Sequence, residues 1–253
     1  MVCGIGEFGE TVIDGNNWYY FVYSSYQGNE LCYGMAKSPA GPFEYKGVIV
    51  SNCDLGFEGN ETPRHADANN HGSILTVGDD HYIFYHRHTH NTHFSRQGCA
   101  ERIAINEDGT IDQVECTSCG LNDGWVEPRG TFTAAYFCNL EGDPQPYQWE
   151  EEDADCEHLR NQYVRNLREG GSCTFKRFDF DAFAPAKVGI RVRGAAGTVT
   201  VSADGAELAR IEVAENEFWH RYEAPIAPLT GVHALTFTFD MPDEAQFDSF
   251  TLA

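Results

Sequence analysis

Along this chain apolar and polar residues alternate far more often than they cycle with a helical period. "WYYFVYSS" from Trp18, "HYIFYHRH" from His81, "AERIAI" from Ala100 and "KVGIRVRG" from Lys187 are short and rich in aromatic and β-branched residues. "GTVTVSA" from Gly197, "ARIEVA" from Ala209 and "HALTFTF" from His233 follow the same pattern. A period of two is what a strand with one buried face requires, because successive side chains leave opposite faces of a sheet. Turn-forming groups stand between these runs: "DGNN", "GDD", "EDGT", "ADGAE" and "LTGV". Helical periodicity is absent apart from a weak pattern in "EEEDADCEHLRNQYVRNL". The pattern predicts an all-β protein.

Proline and glycine cluster in "EGDPQPYQWE", which predicts a division into residues 1–142 and 143–253. The acidic run from Glu150 to Glu157 reads as a solvated linker face. Beyond it, several strands at regular spacing predict a β-sandwich. "GIGEFG" matches G-x-G-x-x-G at Gly4, Gly6 and Gly9, but the dinucleotide fingerprint needs a strand before it and a helix after it. Neither is expected here, so that reading is rejected.

Composition narrows the partners. At 253 residues and 42% hydrophobic, the chain can bury one large core or two ordinary ones. Its net charge of −22 is spread over both halves and leaves no basic patch, which argues against nucleic acid or an anionic membrane as a partner. A neutral ligand such as carbohydrate is compatible with it. No apolar run reaches the length of a membrane span, and "MVCGIGEFGE" shows no signal-peptide pattern. Nine cysteines is an odd number, so at least one thiol is free or pairs between chains. Cys116 and Cys119 form a single C-x-x-C; without a second such pair structural thiols are expected, with a disulfide or a metal or redox role as alternatives.

Three blocks of the first half carry a specific resemblance: "WYYFVYSS" with "ELCYGMAKSPAGPFEYKGVIVSN", then "NNHGSILTVGDDHYIFYHRHT", then "FSRQGCAERIAINEDGTIDQVECTSCGLN". Together they resemble the C-terminal blades of glycoside hydrolase family 43, a five-bladed β-propeller, in its α-L-arabinofuranosidase and β-xylosidase members. The second half, through "GGSCTFKRFDFDAFAPAKVGIRVRGAAGTVTV" and "FWHRYEAPIAPLTGVHALTFTFDMPDEAQFDSFTLA", is similar to a family 6-like carbohydrate-binding module, a jelly-roll β-sandwich. The expected fold is thus all-β, a partial propeller over 1–142 joined to a sandwich over 143–253. The resemblance implies inverting hydrolysis of terminal arabinofuranosyl or xylosyl units on arabinoxylan, arabinan or xylan.

It also implies roles, each with a plainer rival. His71 in "NNHGSI" matches the propeller-axis histidine, which in the resembling family lies near a central cation or water cluster below the sugar; the rival is a buried histidine satisfied by backbone. Arg96 in "FSRQ" matches the arginine placed on the sugar hydroxyls, where a planar donor fork suits paired oxygens; the rival is a structural strand arginine. Glu7 lies where the family carries its general acid, with Glu10 a competitor and exposure of both the rival. If "HYIFYHRHT" is a strand, His86, His88 and His90 share one face and Arg87 and Thr89 the other. Those histidines, with His93, could ligate a metal, but the stretch reads first as a pocket wall. In the sandwich, Trp219 and Tyr222 are candidate platforms for a sugar ring, against a core role for the tryptophan. Asp248 in "FDSF" stands where such modules often hold a structural calcium, although one carboxylate does not make an oxygen cage. No cofactor is required.

Inverting hydrolysis needs an acid and a base roughly 6.5–9.5 Å apart. The resemblance puts the base aspartate, and a second aspartate that tunes the acid, upstream of the acid. Only six residues precede Glu7 here and none is acidic. About 140 residues are also too few for five blades of four strands at about 5–6 residues a strand. The expectation is poor turnover by a lone monomer, and pairing with another copy or with a missing N-terminal portion. The alternatives are a non-catalytic carbohydrate-binding protein and a purely structural role.

Overall fold

A computed structural model describes residues 7–9, 18–25, 30–51, 53–64, 70–88, 96–142, 147–152 and 160–253, with backbone alone at 7–9, 88, 96, 147–152 and 160–162. The chain forms two units, Met1–Asp123 and Gly124–Ala253. Both are built from antiparallel strands, with two short 3-10 turns and no helix able to cross a membrane among the described residues.

In the first unit, β1 (Glu7–Gly9), β2 (Tyr19–Ser24), β3 (Glu30–Ala36) and β4 (Glu44–Ser51) form a four-stranded sheet in chain order. β5 (Ser73–Val77), β6 (Asp80–His88) and β7 (Arg96–Ile103) form a three-stranded one, also in chain order. Meanders of this kind are the units of a propeller. Tyr20, Val22, Leu31, Tyr33, Met35 and Ile49 of the first sheet share one core with Ile74, Ile83, Tyr85 and Ile103 of the second. The segment after β7 returns to the first sheet: Val114 N–H donates to Ile49 O at 2.8 Å, and Ile111 N–H donates to Tyr33 Oη at 2.7 Å. Tyr20 Oη–H donates to Gly109 O at 2.6 Å. A buried phenol keeps its apolar contacts only if its hydroxyl is satisfied, and here the main chain of that segment satisfies it.

The second unit is a β-sandwich. Its strands are β8 (Gly130–Thr133), β9 (Asn139–Glu141), β10 (Tyr147–Glu152), β11 (Arg160–Leu167), β12 (Gly171–Asp179), β13 (Lys187–Gly194), β14 (Gly197–Ala203), β15 (Ala206–Val213), β16 (Asn216–Pro225), β17 (Val232–Asp240) and β18 (Ala245–Leu252). One sheet runs β10-β11-β18-β13-β16, with β8 also on β18; the other runs β15-β14-β17-β12-β9. Phenylalanines fill the space between them: the Phe250 ring lies 4.7 Å from Phe175 and 4.8 Å from Phe237, centre to centre. Burial alternates along β14 and β17, as two sheets with one wet face each require.

Two expectations change. The units divide at Asp123 and Gly124, not at 142, because β8 pairs with β18 and β9 with β12, so both belong to the sandwich. The weakly helical pattern ending in "RNQYVRNL" is strand β11. Residues 153–159 of that acidic stretch lie outside the described residues, as do Gly4 and Gly6 of the rejected glycine motif.

Candidate functional site

The site begins with alternation along β6. Ile83, Tyr85 and Arg87 turn into the unit's interior, while Tyr82, Phe84 and His86 take the other face. The register pairs Phe84 with Ala100, His86 with Gly98 and His88 with Arg96. Position 96 is therefore on the His86 face, two residues along from Gly98. The side chains of His88 and Arg96 lie outside the description, as do His90 and His93 altogether. As expected of a strand, Arg87 and His86 occupy opposite faces.

His71 reaches this face because of its neighbours. Asn70 is fully buried, and its carbonyl accepts a hydrogen bond from Ser24 Oγ of β2. A Cβ at Gly72 would stand 1.8 Å from Phe84 O and 2.8 Å from Leu31 Cδ1. Only glycine lets the main chain lie so close to β6. Thus fixed, the exposed His71 stacks its ring on His86, with centroids 5.4 Å apart and planes 8° from parallel. His86 Nδ1 is 3.3 Å from His71 N and 3.2 Å from His71 O. Across from His86, a Cβ on Gly98 would meet nothing within 4 Å, so the face is open there.

Behind this face lies a buried polar cluster. Tyr85 Oη–H donates to Glu101 Oε1 at 3.1 Å, Thr117 N–H to the same oxygen at 2.8 Å, and Thr117 Oγ1–H to Oε2 at 2.5 Å. Burial pushes the Glu101 carboxyl up to about 7, against the pull of the Thr117 and Tyr85 hydrogen bonds and of Arg87. The adjoining Cys116 donates its S–H to Ser51 O at 2.9 Å, and its N–H donates to Asp54 Oδ1 at 2.7 Å. Burial, with Asp54 and Glu101 nearby, holds that thiol well above its ordinary value, so it is an inert structural thiol. Cys32, Cys99, Cys116 and Cys173 are free thiols. The cluster went unread in the sequence, yet a signal exists: in "AERIAI", Glu101 has the parity of Ile103 and so falls on the apolar face.

The remaining candidates are scattered. Glu7 is in β1 opposite Val22, described by its backbone only, and Glu10 lies outside the described residues. Trp219 is half-buried on β16, edge-on to Tyr163 at 5.3 Å, with the guanidinium groups of Arg193 and Arg191 at 4.4 and 5.2 Å from its ring centre. Tyr222 has the opposite parity, stands by His220 and donates its hydroxyl to Ala214 O at 3.1 Å, so it does not join Trp219 in one platform. Asp248 has a guanidinium where a cation would sit: its Oδ2 is 2.8 Å from Arg191 Nη1 and accepts Ser249 Oγ–H at 2.7 Å. Among the described residues no group of three or more His, Cys, Asp or Glu could hold a metal ion. The surroundings of Asp248 do not fit a calcium cage, which needs six to eight oxygens.

No family model matches the chain. Over 92% of its length it is 40% identical to a xylosidase/arabinosidase of Thermoclostridium stercorarium, covering 53% of that protein. An arabinoxylan arabinofuranohydrolase of Bacillus subtilis (strain 168) is 24% identical over 88% of the chain, with 46% of that protein covered. Among solved structures, a glycoside hydrolase family 43 arabinoxylan arabinofuranohydrolase from Bacillus subtilis, in complex with cellotetraose, superposes with a TM-score of 0.53 at 21% identity, over 98% of this chain and 53% of that one. The chain has the fold of about half of that enzyme. It likewise spans about half the length of the curated relatives it matches.

Proposed function

We propose that the first unit is the C-terminal part of a family 43-type glycosidase propeller, and that it serves inverting hydrolysis of terminal arabinofuranosyl or xylosyl units on plant polysaccharides of the arabinoxylan type. The observation that carries this reading is the meeting of His71 with the β6–β7 face that bears position 96. A sugar lying on that face has an imidazole pair beneath it and position 96 on the neighbouring strand, where an arginine's donor fork would suit two neighbouring hydroxyls. The names of the relatives support the same chemistry. In this reading Glu7, with Glu10 as its rival, protonates the leaving oxygen, and a carboxylate outside the described face activates the water. The second unit is proposed to grip glycan, with the half-exposed Trp219 at its contact.

The test is calorimetric titration of the whole chain with arabinoxylo-oligosaccharides. Arg96→Ala and His71→Ala are each expected to weaken binding by about tenfold or more, the size of about 1.4 kcal/mol, with Trp219→Ala affecting long xylan but not short oligosaccharides. Unchanged affinity in both first-unit variants would refute the site.

A further inference from the structure

The position of His86 Nδ1 carries a consequence for His71. One ring nitrogen stands at hydrogen-bonding distance from both main-chain polar groups of a single residue: 3.3 Å from His71 N and 3.2 Å from His71 O. That nitrogen offers a lone pair when it is unprotonated and an N–H when it is protonated, never both. The two bonds are therefore alternatives. With Nδ1 bare, it accepts the His71 N–H; with Nδ1 protonated, it donates to the His71 carbonyl and the amide loses this acceptor.

We propose that His86 is the positioning residue of His71, holding the main chain of the pocket floor by one of two exclusive hydrogen bonds chosen by its own protonation. On either side the chain is held by contacts that involve no titratable group. Upstream, the Asn70 carbonyl accepts from Ser24, and downstream Gly72 lies against Phe84 O before the Ser73–Phe84 register of β5 and β6 begins. The peptide groups of His71 lie between these anchors, within reach of Nδ1. The two rings lie stacked beside this contact, 5.4 Å apart and 8° from parallel. Imidazole is the side chain that changes charge across the mildly acidic to neutral range, which gives the exchange a reachable trigger. On the elements packed around His86, the described titratable groups are His71 from the chain before β5 and, by register alone, the positions of His88 on β6 and Arg96 on β7; Phe84 and Gly98 complete this part of the face.

This inference rests on the reading of His71 as the floor of a sugar pocket, but its test does not. The whole chain carries ten histidines, few enough for selective 15N labelling to resolve their amides and rings. In the wild-type chain the His71 amide proton is expected to shift with pH at the same midpoint as the His86 ring. His86→Asn keeps an acceptor near the Nδ1 position and cannot protonate, so the amide should stay at its high-pH position throughout. His71→Ala removes the ring and keeps the main chain, and with 15N-alanine labelling the amide at position 71 should still follow pH at the His86 midpoint. A flat wild-type amide while His86 titrates, or an amide titration that survives His86→Asn, would overturn the proposal. The same samples titrated with xylose at pH values on either side of the midpoint should show a Kd that changes in the wild type and not in His86→Asn. Absence of any sugar binding would defeat the pocket reading alone and leave the amide result standing, so the two failures are separate.

Discussion

At the scale of single residues, three positions have consequences that can be measured. Gly72 is glycine because a side chain there collides with Phe84 O, so Gly72→Ala forces the main chain off β6. The expected loss is about 1–3 kcal/mol of stability, the range for overpacking a tight site, together with loss of the His71–His86 stack; urea unfolding and the His71 ring resonances report the two effects. Glu101 is an acid whose folded value of about 7 lies above its ordinary 4.5 because it is buried. Its sign follows from linkage: the folded state binds the proton more tightly, so its contribution is fully present below about 4.5 and is lost as pH rises through about 7. Glu101→Gln should remove that slope from a plot of unfolding free energy against pH, and an unchanged slope would contradict the burial argument. His233 works at the surface of the sandwich. Its Nδ1 is 2.5 Å from Asp204 Oδ2 and its Nε2 2.7 Å from Thr230 O, two acceptors that only the imidazolium satisfies together. The Asp204 hydrogen bond, then that to Thr230, raises its pKa above 6.5, so this contribution is full below 6.5 and fades as pH climbs through the raised value. Asp204→Asn should flatten that part of the profile, with a small amplitude because Asp204 is largely exposed.

At the scale of elements, the sequence was legible where alternation is unbroken and misleading where it breaks. "HYIFYHRH" and "GTVTVSA" keep a period of two and fold as the strands it predicts. In β11 the pairing with β18 shifts register between Val164 and Leu167, and Asn166 takes φ 59°. Such a bulge turns two residues three apart to the same buried side, which is the spacing of a helix face. Hence "RNQYVRNL" reads as helix and is strand. β8 and β9 went unread for another reason: at four and three residues they are too short to show a period, and "EGDPQPYQWE" beside them looks like a linker. The histidine face was legible from parity and the resemblance, whereas the lock on His71 depends on Ser24 and Phe84, distant in sequence. A prediction follows from the corrected boundary. Gly124–Ala253 should fold alone, since it holds both sheets, while 150–253 lacks β8 and β9 and exposes the flanks of β18 and β12. Circular dichroism and cooperative unfolding of the two segments decide it; equal cooperativity of both would show that β8 and β9 are dispensable.

At the scale of the whole molecule, charge, sheet edges and chemistry act together. A net charge of −22 favours dispersal and repels other anions, which is compatible with the neutral glycan proposed as ligand. Against that repulsion, β5 is an edge strand of its sheet and carries Leu75 and Val77, 51% and 55% exposed, at positions on the face of Phe84 and His86. An apolar edge of this kind invites pairing with another strand. Chemistry points the same way, because inversion needs a base as well as an acid, separated by roughly 6.5–9.5 Å so that a water fits. Around His71 and His86 the described residues bring together imidazoles and, by register, an arginine position; the carboxylate that shares this face of β6, Asp80, stands at the far end of the strand and pairs with Arg102, and Glu101 is turned to the buried side, held by Tyr85 and Thr117. The 253-residue chain by itself is therefore expected to bind arabinoxylan-type glycan while turning over aryl arabinofuranosides and aryl xylosides poorly, and to show a mass above that of one chain by light scattering at high concentration. Robust turnover by a strict monomer, abolished by Glu7→Gln, would mean that the base stands within these residues and that the face built on His71 works as a complete active site.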